Sequence, residues 1–134
     1  MSGTLIKSIT ARQVYTNRGK PGVEAVVTTE NGAVGRGMCT AGISMGTHEV
    51  DFTYDGGKMF GGRGVQRAVD NIHNIIAPKL IGLDAANQAE IDNAMLNIMP
   101  DAKLNLGGNA VAAVSAAALK AGAKALGIPL YRHI

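Results

Sequence analysis

The sequence predicts an α+β fold, with a three-stranded antiparallel meander followed by a helical layer. Three observations predict it. From Thr4 to Met38 the apolar residues alternate or gather in β-branched runs. An Asn31-Gly32 pair separates two of those runs, a strong short hairpin signal. From Gly64 onward the apolar residues recur every three or four positions. Strand-forming segments placed ahead of helical ones lay the helices on one face of the sheet.

Each element has its own justification. Thr4–Tyr15 is predicted as the first strand, with Leu5, Ile9 and Ala11 on one face and Ser8, Thr10 and Arg12 on the other. Asn17–Gly22 is a turn, since its glycines supply positive φ and Pro21 fixes its own. Val23–Thr29 is the second strand and Ala33–Met38 the third. Cys39–Gly64 holds seven glycines and no sustained period, and a loop of that length is more often functional than idle. Val65, Ala68, Val69, Ile72 and Ile76 make the stripe of a first helix, with Pro78 as its expected stop. Asp84 is the expected N-cap of a second helix whose inner face carries Ile91, Met95 and Ile98. Asn109 is the expected N-cap of a third, Ala-rich and apolar nearly all round, ending before Gly127 and Pro129.

Composition narrows the function. The chain has 134 residues, 46% of them apolar, and a formal charge of 13 − 10 = +3. That fits one domain, residues 1–134, with a core of its own, and is too short for a barrel enzyme of ~250 residues. The basic residues are spread out and do not interleave with aromatics, which argues against nucleic-acid binding. No apolar run approaches the ~18 residues of a membrane span, and the N-terminus shows no secretory pattern. Cys39 is the only cysteine, so no internal disulfide forms and a reducing, cytoplasmic setting is expected. Cys39 itself reads as a small core hydrophobe rather than a reactive thiol.

The residues do not make a complete catalyst. Only ten are acidic, with no D-x-D or E-x-x-H grouping, and His48, His73 and His133 are not spaced as metal ligands. No G-x-S-x-G elbow is present, and Gly61-Gly62-Arg63-Gly64 reads as a helix-entry turn rather than a phosphate loop. The segment Ala41-Gly42-Ile43-Ser44-Met45-Gly46-Thr47-His48-Glu49 is the exception. Glycines on both sides of one hydroxyl allow large backbone motion, which suits a lid as well as an irregular surface loop.

Five ordered motifs then carry a resemblance. They are Thr16-Asn17-Arg18-Gly19-Lys20-Pro21-Gly22-Val23-Glu24, the Ala41–Glu49 loop, Gly62-Arg63-Gly64-Val65, Gly107-Gly108-Asn109-Ala110-Val111 through Val114-Ser115, and Pro129-Leu130-Tyr131-Arg132-His133. Together they resemble the N-terminal domain of enolase (phosphopyruvate hydratase). The resemblance implies a longer protein whose catalytic barrel lies outside these 134 residues and holds the base and most magnesium ligands. It implies a homo-oligomeric cytoplasmic enzyme that dehydrates 2-phosphoglycerate to phosphoenolpyruvate with Mg2+. It implies that Gly42, Ile43, Ser44, Met45 and Gly46 form the active-site loop, that Ser44 ligates a second magnesium on closure, and that Arg12 and Glu24 pair across a dimer interface. The sequence departs from the family pattern at Thr16, Asn17, Lys20, Gly22, Ile43 and Met45. Those departures leave room for a free-standing, inactive module that docks on another enolase chain. A plain α+β domain without catalytic lineage is the third reading.

Overall fold

The computed structural model describes residues 2–42 and 44–134. Three strands, β1 (Ile6–Tyr15), β2 (Pro21–Thr29) and β3 (Val34–Cys39), form one antiparallel sheet in the order β1-β2-β3. Helices follow, so the predicted meander and helical layer are both present. A chain segment, Gln66–Leu80, is helical throughout, as α1 (Gln66–Asn71), a π turn (Ile72–Ile76) and α2 (Ala77–Leu80). It is succeeded by α3 (Gln88–Leu96), α4 (Ala102–Leu106), α5 (Gly108–Leu126) and α6 (Leu130–His133).

Register decides which face is buried. Ala11 pairs with Ala25 and Ala25 with Gly37; Ile9 pairs with Val27 and Val27 with Gly35. These rows face the helices, and Ile9, Ala25 and Val27 are buried. The alternate row, Arg12–Glu24–Met38, lies on the opposite face. An extra residue enters β1 between Ile6 and Ser8. That bulge brings Ile6 into the core alongside Ile9, where strict alternation had placed Leu5. Leu5 instead makes an isolated bridge with Asp84.

The β2–β3 hairpin forms around Gly32 at φ 87°, but Asn31 is not at positive φ. Its loop is one residue longer than a two-residue turn, closed by Gly32 N–H to the Thr29 carbonyl at 3.0 Å. The Asn31 amide is used elsewhere: its Oδ1 accepts from the Thr29 hydroxyl at 2.7 Å, and its Nδ2 donates to the Ala125 carbonyl at 3.1 Å.

Helix α5 lies directly on β2 and β3 through Ala113, Ala117 and Ala121, all buried at four-residue spacing. Small side chains here and Gly35 and Gly37 opposite let helix and sheet approach closely. A Cβ at Gly35 would collide with the Ala117 carbonyl, and one at Gly37 would lie 2.6 Å from the Ala117 nitrogen. One side of α5 remains open, at Ala112, Lys120 and Lys124, so the helix is less enclosed than its composition predicted. Ile72, Ile76 and Leu80 fill the core beside β1, and Ile91, Met95 and Leu106 complete it.

Three expected helix boundaries move. Pro78 does not end its helix; it sits in the first turn of α2, directly after the π turn. Proline lacks an N–H and clashes with the carbonyl four residues back, and a widened turn accommodates both. Asn87, not Asp84, caps α3, its Oδ1 accepting from Glu90 N–H at 3.2 Å. Asp84 Oδ1 instead accepts from Ala86 N–H at 2.9 Å, a local turn. Asn109 lies inside α5, which begins one residue earlier after Gly107. No described helix is long and apolar enough to cross a membrane.

Candidate functional site

The described residues between β3 and α1 run without regular structure as far as the short 3₁₀ turn Met59–Gly62. Gly42, Ser44, Met45 and Gly46 are all exposed on it; Ile43 lies outside the described residues. The loop overhangs a hollow of about 150 Å³ whose walls include Gly42, Ser44, Met45, Glu49, Tyr54 and Arg63. The Arg63 guanidinium sits over the Tyr54 ring at 5.3 Å, and the Phe52 and Tyr54 ring centres lie 6.1 Å apart with the rings tilted by 53°. The hollow thus has an aromatic floor, one carboxylate, one guanidinium and one hydroxyl. Its hard oxygen donors are those of Ser44 and Glu49, which would fill only part of a magnesium ion's octahedral shell. Among the described residues no cluster of three or more His, Cys, Asp or Glu side chains could hold a metal ion.

A larger groove of about 550 Å³ adjoins it and shares Glu49 and Phe52. Met95, Leu96 and Val111 make it apolar. At its rim Ser115 Oγ donates to Asp92 Oδ1 at 2.7 Å and Gln88 Nε2 donates to the same oxygen at 3.0 Å. This knot joins α3 to α5. Only the Gln88/Asp92 spacing of four residues hinted at it in the sequence.

The loop is secured beyond Val50. Asp55 accepts from Gln66 N–H at 3.0 Å and Arg67 N–H at 2.7 Å, so its carboxylate covers the start of α1. Asn109 accepts from Thr53 N–H at 3.0 Å and donates to the Thr53 carbonyl at 3.1 Å. Sequence reasoning missed both contacts, because partners 11 and 56 residues apart leave no local signal.

Arg12 and Glu24 lie on the open face of the sheet, far along the chain from the loop. Arg12 Nε donates to Glu24 Oε1 at 2.8 Å, and Arg36 Nη1 approaches the same oxygen at 3.5 Å. Glu24 is only 7% exposed although it is on the uncovered face, because its flanking arginines shield it. Arg36 was not singled out in the sequence; its place opposite Val26, diagonal to Glu24, follows only from register. The free Cys39 is half-buried against the core, and desolvation raises its thiol pKa. His73 Nε2 accepts from Ala11 N–H at 3.0 Å and ties the π turn to β1.

Comparison with known proteins follows the same outline. A family model for the enolase N-terminal domain matches residues 6–134. The enolase of Methanopyrus kandleri is 48% identical over 130 residues, which cover 96% of this chain and 30% of that protein. The chain therefore spans about a third of the length of the curated relative it matches. Meander, helical layer and ordered motifs agree with that match, and the chain belongs to the family of enolase N-terminal domains.

Proposed function

We propose that this chain is the capping domain of an enolase and that its Gly42–Gly46 loop closes over 2-phosphoglycerate or phosphoenolpyruvate in the dehydration step of glycolysis. The observation that carries the reading is the family match over residues 6–134, which includes the glycine-flanked, exposed Ser44. An enolase barrel domain supplies the base and the principal metal ligands. When bound, magnesium would supply positive charge that eases loss of the proton beside the substrate carboxylate.

The chain's own part is closure. Gly42 and Gly46 permit the rotation, and Ser44 would offer its hydroxyl and carbonyl as hard ligands to a second magnesium. Gly42, Ile43 and Met45 line the closed site through their backbones and exclude water. Arg12 and Glu24 serve a homo-oligomeric interface, exchanging part of their mutual pairing for a partner's charges. The setting is cytoplasmic.

The test joins this chain to an enolase barrel, by fusion or by mixing, and measures 2-phosphoglycerate turnover with magnesium. Turnover should rise above that of the barrel alone, and Ser44→Ala should lower kcat by about a hundredfold. No gain over the barrel alone rejects the reading. A second reading, an inactive module docked on another enolase chain, is favoured by Met45, an apolar side chain 60% exposed on the loop. Stable binding to the barrel without turnover would select it.

A further inference from the structure

We infer that Asn109 is a positioning residue for the Ser44 loop: its buried amide clamps the loop's root and sets the hinge between Val50 and Asp51. The clamp rests on geometry alone; its consequence for catalysis rests on the capping reading above.

Asn109 is 1% exposed and lies in the first turn of α5. Its side chain meets both polar groups of the Thr53 backbone, at 3.0 and 3.1 Å, as a neighbouring strand would. A buried amide finds few other ways to satisfy donor and acceptor together. Beside it, Gly108 N–H donates to the Asp51 carbonyl at 3.0 Å. Gly107 takes φ 98°, and a Cβ there would lie 2.5 Å from Thr53 Oγ1. The two glycines therefore admit the strap, and the asparagine holds it.

The strap continues firmly. Asp55 N–H donates to the Gly64 carbonyl and Gly56 N–H to the Gly62 carbonyl, each at 2.9 Å. Asp55's carboxylate binds the first amides of α1. On the other side of Val50 the chain is held differently. From Ser44 to Glu49 the side chains are exposed, and the backbone closes on itself in a turn, Glu49 N–H to the Gly46 carbonyl at 3.3 Å. Motion is confined to segments with few bonds to the scaffold, so the hinge falls where the bonds to α5 begin. Ser44 then swings about a fixed point, and its arrival at a closed site is reproducible. The glycine-glycine-asparagine motif and the loop motif, about sixty residues apart, act as one device.

The experiment is amide hydrogen exchange, residue by residue, on the chain and on two variants. In Asn109→Ala, Thr53 and the following strap amides should exchange roughly tenfold faster, with β2, α1 and α3 unchanged. In Asn109→Asp the acceptor is kept. The Thr53 amide proton shift should then follow the titration of the introduced carboxylate. Unchanged exchange at Thr53 in Asn109→Ala, or acceleration spread evenly over the whole chain, overturns the inference. Should Asn109→Ala fail to fold, a Thr53 shift in Asn109→Asp that is blind to pH overturns it equally. Neither readout requires turnover, so a failure of the barrel experiment would leave the clamp standing on its own result. With the barrel attached, Asn109→Ala should lower kcat, and Asn109→Asp should restore part of it where its carboxyl is protonated and can donate to the Thr53 carbonyl.

Discussion

Glu24 is a carboxylate on the uncovered face of a sheet, yet it is more buried than either arginine that flanks it. The arginine side chains remain more than half exposed, so water screens the pairs and each is worth about 1 kcal/mol or less. Such pairs exchange partners at small cost, which suits an interface position. Cys39 shows the opposite situation, a neutral group that burial keeps neutral. Desolvation raises its folded-state pKa above the usual ~8.5 of a free thiol. The resulting stability is fully present below that usual value and is lost as pH rises toward the folded-state value. Wild type should therefore lose melting temperature relative to Cys39→Ala between pH 7 and pH 10. A constant difference between the two across that range would show that burial does not govern this thiol.

At the scale of elements, the tight packing of α5 on β3 is the feature on which the layered fold depends. Helix and strand surfaces both lack bulk, at Ala113, Ala117 and Ala121 on one side and Gly35 and Gly37 on the other. An added methyl at Gly35 meets backbone, Ala121 Cα at 2.9 Å among its neighbours, and backbone cannot move aside as a flexible side chain does. Gly35→Ala should cost about 3 kcal/mol, seen as a lower urea midpoint at unchanged slope. A loss under ~0.5 kcal/mol, within the ordinary range of a surface change, would contradict the close approach. The helix through Gln66–Leu80 teaches a different lesson. Its apolar stripe was readable from period alone, whereas the π turn that carries the stripe past Pro78 was not. A period of 3.6 survives one wide turn, so the sequence shows the face but not the local winding.

At the scale of the whole molecule, one core joins the sheet to every helix from α1 to α5. Large apolar side chains remain outside it: Tyr15 and Phe60, whose rings lie 5.8 Å apart, with Met38 and Met59 also exposed. Surfaces of this kind associate. Light scattering should show an apparent mass that climbs with concentration, and Met59→Lys with Phe60→Ser should lower it. A monomer at every concentration tested would mean that these side chains form no adhesive surface.

Fold class, strand order and helix faces were legible because they follow from periods of two and 3.6, which neighbouring residues express on their own. The Gly42–Gly46 loop stood out for a similar reason, being a long glycine-rich segment without any period. Nothing so local marks Asn109. Read as a cap from its position before an alanine run, it proves to hold Thr53, and only the folded chain could bring those two together. The same holds for Arg36 beside Glu24, for Asp55 on α1 and for the bulge that exchanges Leu5 for Ile6. Amino-acid order by itself determined the layers and the loop, since hydrophobic burial acts through spacing along the chain. Tertiary structure alone decided where the loop is anchored and which charges meet, since a hydrogen bond depends on ångström-scale distances between groups that the chain holds far apart in sequence.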